Sequence, residues 1–366
     1  MSLLKEGQKL RETYEVERFL GEGAFAEVYR VQHRFLGRQA LKILKTPGMT
    51  IGEIEQMLGE ALLLSRIGHP NIIRVFDANV LELPGGQYGF FTMEYVAGGS
   101  LDRFWRSYRD NLMPVEKAIE VMKQVCAGIA VAHAENPPVV HRDIKPQNIL
   151  VGYDGAGLRV RVSDFGLAKR VNPLTLLVSA KGTLNFKPPE SFENQDSPAA
   201  DVWALGTTLY LLLTDTLPYP ELDERDVADA KRFVRPLRPA SVYNMAVDSS
   251  LDSILSRCLT RNPSERYPDA SAMLEDLNRW HTGRPDMSSS PTSSVQPGEG
   301  KIAMGMRSPT DAIPVHDMVR RALAMSKNPG SLMSAADLLE EAVNKAPELR
   351  EQYESQLKLW RRGICM

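Results

Sequence analysis

The stretch 141–151, His-Arg-Asp-Ile-Lys-Pro-Gln-Asn-Ile-Leu-Val, constrains this chain more than any other. Its last three residues form an unbroken apolar run suited to a buried strand, and the polar residues stand ahead of that run, facing outwards at useful spacings. Asp143 can take a proton from a hydroxyl, Lys145 can steady an anion in transfer, and Asn148 can offer an amide oxygen to a metal. A second short strand pattern, Val160-Arg161-Val162-Ser163, runs straight into Asp164-Phe165-Gly166 and brings another oxygen ligand. A carboxylate base, a cation and two hard oxygens are what phosphoryl transfer needs, because its transition state asks mainly for in-line positioning and charge neutralisation.

Upstream, Tyr14 to Leu20, Glu27 to His33 and Gln39 to Leu44 read as strands joined by Gly21-Glu22-Gly23-Ala24-Phe25-Ala26 and Leu36-Gly37-Arg38. That is a meander, not a βαβ unit, and its glycine-rich turn alone suits an ordinary hairpin as well as a phosphate cradle. From Ile51 to Ile67 the apolar positions Ile54, Met57, Leu58, Ala61, Leu62 and Leu64 recur at helical spacing and stop near Gly68. Pro114 to Ala134 predicts a buried helix leading to His141, Asp201 opens an apolar helix, and Asp226 to Trp280 carries a helical pattern with Ile254, Leu255, Cys258 and Leu259 inward.

In this order the motifs resemble those of Ser/Thr protein kinases, from residue 14 to residue 281. The resemblance implies an α+β, bilobal protein-kinase fold with an antiparallel β-sheet small lobe and a mainly helical large lobe. It places the kinase domain at 8–283, with the small lobe at 8–93, the hinge at 94–99 and the large lobe at 100–283. It further implies that Gly21 and Gly23 bring backbone amides to the ATP phosphates beneath Phe25, with Ala26 replacing the family's third glycine. Val28, Ala40 and Leu150 would enclose adenine, Met93 would be the gatekeeper, and the backbone of Glu94 and Val96 would meet the adenine edge. Lys42 would grip the α and β phosphates, paired with Glu60. Asp143 would be the base, Lys145 would face the γ-phosphate, and Thr183 would hydrogen-bond near both. Asn148 and Asp164 would hold magnesium, with manganese as a substitute.

The same resemblance assigns Leu64, Val75, His141 and Phe165 to an apolar stack that reports the active state. Glu190 would pair with Arg266, and Asp201 would tie down the catalytic-loop backbone. Lys145-Pro146 is the Ser/Thr form, whereas Phe186 and Pro188 depart from the family's tyrosine and alanine without removing a catalytic group. Ser179 or Thr175 would be a phosphosite read by Arg142 and Lys169, the alternative being that Ser179 packs unmodified. Ser100 and Gln147, where many arginine-directed kinases have acids, weigh against a basic-directed substrate. The rival reading is a pseudokinase or scaffold acting through its tail, against which stands the complete set Lys42, Glu60, Asp143, Asn148 and Asp164. A small-molecule phosphotransferase is disfavoured by Pro189-Glu190, Asp201 and Arg266.

With 366 residues, 43% of them hydrophobic, the chain can bury a large core. Its 44 basic and 46 acidic residues leave a net charge of -2, so no global field draws nucleic acid or an anionic membrane. Three scattered cysteines, Cys126, Cys258 and Cys365, match neither a disulfide framework nor a zinc site. The N-terminus lacks the apolar core of a signal peptide, and the run Val202 to Leu213 is too short to span a bilayer, so the expected partners are ATP and a protein substrate in the cytoplasm. The Ser/Pro/Gly-rich stretch 284–312 reads as a flexible linker, and 313–366 as a helical C-terminal segment. Leu338, Leu339, Ala342, Val343 and Ala346 give that segment an apolar face, to be covered by the kinase unit, by a second protomer as a homodimer, or by a protein partner.

Overall fold

Alternation of inward and outward residues builds the small lobe. In the structure, a computed structural model that describes residues 2–23, 25–108, 112–154, 157–165, 184–193, 196–220, 230–280, 315–326, 332–362 and 364, the first strands are β1 (Lys9–Leu10), β2 (Tyr14–Glu22), β3 (Ala26–His33) and β4 (Gly37–Pro47). With β5 (Val75–Leu83) and β6 (Gly86–Glu94) they form one antiparallel sheet in the order β1-β2-β3-β4-β6-β5. The period of two sorts β4: Leu41 and Ile43 enter a cluster with Tyr29, Val31 and Phe90 on one face, while Ala40 packs on the other with Phe91, Met93 and helix α1 (Ile51–Ile67). Lys42 therefore leaves the sheet on the same side as Ala40. Helix α1 starts with a capping box between Thr50 and Glu53 and stops at Gly68, whose φ of 72° suits a residue without Cβ.

The large lobe contains α2 (Leu101–Arg106), α3 (Val115–His133), the hairpin β7 (Ile149–Asp154) and β8 (Gly157–Val162), α4 (Pro198–Thr214), α5 (Ser249–Cys258) and α6 (Ala270–Arg279). Ser197 caps α4, Pro198 follows at its first turn, and every residue from Ala199 to Thr214 is buried, so α4 runs through the middle of the core. The expected helical pattern from Asp226 to Trp280 is corrected by the fold: within 230–280 only α5 and α6 are α-helices. Pro236, Pro239, Pro263 and Pro268 remove backbone donors and break the pattern into short turns.

Three further helices, α7 (Val315–Met325), α8 (Leu332–Lys345) and α9 (Arg350–Arg361), pack on the chain itself. Leu339, Ala342, Val343, Leu357 and Trp360 belong to the same apolar cluster as α3 and α4. Cys126 and Cys258 are buried free thiols, and burial pushes the Cys126 thiol up to about 12. Cys365 and the stretch 284–312 lie outside the described residues. Among the described residues no helix is long and apolar enough to cross a membrane.

Candidate active site

The 3-10 turn Pro146–Asn148 follows Asp143 and Lys145, which stay partly exposed, while His141 and Asn148 are buried and Ile149 and Val151 anchor the stretch in the core. Asn148 Nδ2 donates to both Asp143 O and Asp143 Oδ2 at 2.8 Å, and Lys145 Nζ stands 3.0 Å from the same Oδ2. Asp143 Oδ1 is engaged by neither. Because the Asn148 amide nitrogen is spent on Asp143, the oxygen is the atom left to meet a hard cation. From the other lobe, Lys42 Nζ reaches Asp164 Oδ1 at 2.7 Å. Burial pushes the Asp164 carboxyl up, but Lys42, then His141 and Lys145, outweigh it and hold the group below the usual carboxylate range.

The loop is held from beneath. Asp201, in the first turn of α4, accepts the backbone N–H of His141 at 2.6 Å and of Arg142 at 2.9 Å. His133 Nδ1 accepts the Ala270 N–H, so its Nε2 carries the proton that meets Asp201 Oδ2 at 3.1 Å. The Asp201 bond holds Arg142 at φ 69°, and Asp164 stands at φ 66°; such left-handed values cost a non-glycine residue roughly 1–2 kcal/mol each. His141 in turn accepts the Asp143 N–H at Nδ1 and directs Nε2 to Ser163 O at 2.8 Å. Its ring lies 4.5 Å from that of Phe165, whose apolar cluster includes Leu64, with Val75 packed against it. Further out, Arg266 grips Glu190 through two bonds of 2.5 and 2.8 Å with both side chains buried.

Above this polar set lies an apolar one. Val28, Ala40, Met93, Val96 and Leu150 meet in one cluster drawn from both lobes. Gly21, opposite Val28 in the β2–β3 ladder, and Gly23 both have open space where a Cβ would stand, and Phe25 is exposed. Glu94 spends its N–H on Arg74 O and its carboxylate on Arg161. Glu60 lies on α1, but its side chain is outside the described set, and the described partner of Lys42 is Asp164. Lys169, Thr175, Ser179 and Thr183 also lie outside the described residues.

Several residues at the site had no sequence signal. Asp196 receives Arg142 Nε at 2.8 Å, so that arginine already faces a carboxylate. Lys187 Nζ donates to Arg142 O at 2.6 Å, and His133 supports Asp201 from α3. Asp102 accepts from Gln147 at 2.9 Å, which places an acid beside a position read as lacking one.

The protein kinase domain family matches residues 14–277. The serine/threonine-protein kinase PknB of Mycobacterium tuberculosis is 31% identical over 289 residues, 75% of this chain and 44% of PknB. PrkC of Bacillus subtilis, also a serine/threonine-protein kinase, is 31% identical over 277 residues, 74% of this chain and 41% of PrkC. The chain thus spans less than half the length of these relatives. The crystal structure of the Mycobacterium tuberculosis PknI kinase domain aligns with a TM-score of 0.55 at 26% identity, over 76% of this chain and 99% of that one. With a matched segment that takes in both lobes and the whole polar cluster between them, this chain belongs to the protein kinase family.

Proposed function

We propose that the chain is an ATP-dependent serine/threonine protein kinase that transfers the γ-phosphate to protein hydroxyls. The carrying observation is the presence of the pairs Lys42–Asp164 (2.7 Å) and Lys145–Asp143 (3.0 Å) at the join of the lobes, beside an apolar cluster drawn from both. Asp143 Oδ1 takes the proton of the acceptor hydroxyl, while Lys145 and Asn148 hold the other carboxylate oxygen so that the free one is aimed. Val28, Ala40, Met93, Val96 and Leu150 enclose the adenine, whose edge meets the backbone of Glu94 and Val96. Gly21 and Gly23 let backbone N–H groups approach the phosphates under Phe25. Lys42 neutralises the α and β phosphates, with Glu60 as its second partner.

Asn148 and Asp164 would hold magnesium or manganese, which supplies charge neutralisation on the phosphate oxygens when bound. Glu190 with Arg266, and Asp201, keep the large lobe in register with the loop. The kinase unit is assigned to 8–283 with its hinge at 94–99, and the chain acts in the cytoplasm, where ATP is plentiful and the buried thiols Cys126 and Cys258 stay reduced. It phosphorylates its own loop at Ser179 or Thr175, to be read by Arg142 and Lys169, and Thr183 supports Asp143. The serine/threonine names of its relatives and the Lys145-Pro146 pair support the acceptor class.

The test is incorporation of radiolabelled phosphate from magnesium-ATP by the purified chain and by its Asp143→Ala and Lys42→Ala variants, followed by phosphoamino-acid analysis. The wild type should label serine and threonine, and each variant should lose at least about a hundredfold of the rate. Equal labelling of wild type and Asp143→Ala would sink the mechanism.

A further inference from the structure

Helix α8 presents two faces, and only one of them is explained by the core. Leu339, Ala342 and Val343 join the apolar cluster of the large lobe. On another face Asp337, Glu340, Glu341 and Asn344 follow the i, i+3, i+4, i+7 spacing of one helix stripe. A polar stripe of this kind is ordinarily solvated, yet Glu340 is 1% exposed and Glu341 and Asn344 are 8% exposed. Each has a specific partner in a different part of the kinase unit. Glu341 meets Arg18 of β2 at 2.7 Å, and Asp337 meets Arg38 of β4 at 3.1 Å, so the small lobe is held. Asn344 Nδ2 donates to Gly98 O in the hinge at 3.1 Å. Glu340 Oε1 accepts the backbone N–H of Tyr153 on β7 at 3.0 Å, and Arg361 of α9 bridges Glu340 and Asp337 at 2.7 and 2.6 Å.

The stripe sits against two glycines of the kinase unit, Gly98 and Gly152. A Cβ on Gly98 would stand 2.9 Å from Glu340 Oε1 and 2.0 Å from Val151 O. One on Gly152 would stand 3.2 Å from the same oxygen and 3.0 Å from Val96 Cγ1. Gly98 lies two residues from Val96, one of the two hinge residues whose backbone is assigned to the adenine edge.

We propose that Glu340 and Asn344 are positioning residues for nucleotide binding: α8 is an internal brace that fixes the hinge backbone and ties both lobes to it. The inference rests on the kinase reading, and its test separates the two. The measurement is calorimetric affinity of the full chain for a non-hydrolysable ATP analogue with magnesium, together with KM for ATP, kcat and the thermal midpoint. Asn344→Ala should weaken the analogue about tenfold, the equivalent of about 1.4 kcal/mol, by freeing the Gly98 carbonyl. KM for ATP should rise in step while kcat stays within about twofold and KM for the protein substrate is unchanged. Glu340→Ala should lose more, and Glu340→Gln, which keeps an acceptor for the Tyr153 N–H, should recover most of the loss. Unchanged analogue affinity in both alanine variants, with a lowered thermal midpoint, would reduce α8 to a structural prop and overturn the proposal alone. No analogue binding by the wild type would overturn the kinase reading and this inference with it.

Discussion

Two buried carboxylates hold the two halves of the site, and they are held differently. Asp201 beneath the catalytic loop and Glu340 behind the hinge are each 1% exposed. Burial pushes both carboxyls up. At Asp201 it is outweighed by His133 and the His141 backbone, with a second N–H from Arg142, and the group ends below the usual carboxylate range. At Glu340 burial prevails over Arg361, whose guanidinium is shared with Asp337, and the carboxyl is pushed up to about 7. The number of undivided donors decides the outcome. The catalytic loop is therefore fixed by a permanent charge, whereas β7, beside the hinge, is tied to α8 by a group that titrates near neutrality.

The largest effect should come from removing the permanent charge. Asp201→Ala leaves the N–H groups of His141 and Arg142 without their acceptor and His133 without its carboxylate, at about 3–5 kcal/mol. Urea denaturation measures that loss, and phosphotransfer should fall with it at temperatures where the protein is still folded. A cost below about 1 kcal/mol would mean that the loop holds itself and that the comparison is empty. Gly98→Ala comes next, because its Cβ would meet a backbone oxygen at 2.0 Å rather than a yielding side chain. About 1–3 kcal/mol is expected, with weakened nucleotide affinity reporting the displaced hinge.

The pH dependence sharpens the contrast because the two groups have opposite signs. Asp201 titrates lower in the folded chain than the usual value near 4, so its contribution is present above that value and lost as the pH falls through the folded one. Glu340 titrates higher, so its contribution is present below the usual value of about 4 and lost as the pH rises through about 7. Thermal midpoints measured from acid to neutral pH should show both limbs. Glu340→Gln should flatten the neutral limb and leave the acid limb in place. An unchanged neutral limb in that variant would show that Arg361 keeps Glu340 ionised after all.

The legible part of this molecule is the part where chemistry dictates residue type over a short span. Asp143, Lys145 and Asn148 fall within six residues and are followed by an apolar strand, so base, cation and ligand were visible together. Helix α1 was legible in its extent because the apolar spacing from Ile51 and the stop at Gly68 agree, whereas its Thr50–Glu53 capping box emerged only in the structure. Of the supports, Asp201 came with the resemblance, but the partners that join it and the others did not. His133 and Asp201 are 68 residues apart, Arg142 and Asp196 54 apart, and Tyr153 and Glu340 187 apart, and no local pattern links them. In α8 the apolar face announced itself by its period, but Glu340 and Asn344 look in sequence like any solvated stripe. Only their register against Gly98 and Gly152 reveals them.

The smallest effect is expected where α8 meets the small lobe. Arg38 pairs with Asp337 at 3.1 Å, but its side chain is 28% exposed, and Glu17 holds it as well at 3.1 Å. A bridge that is partly solvated and shared contributes about 0.5 kcal/mol, less as salt rises. Arg38→Ala should therefore shift the urea midpoint only slightly and lose that shift at about 1 M salt, where the screening length falls to roughly 3 Å. Asn344→Ala should not respond to salt in this way, because its bond to Gly98 O is buried and uncharged on both sides. If instead Arg38→Ala cost more than about 2 kcal/mol and weakened nucleotide binding as much as Asn344→Ala, the brace would act through lobe-to-lobe charge, and the buried hinge contacts would be its consequence rather than its cause.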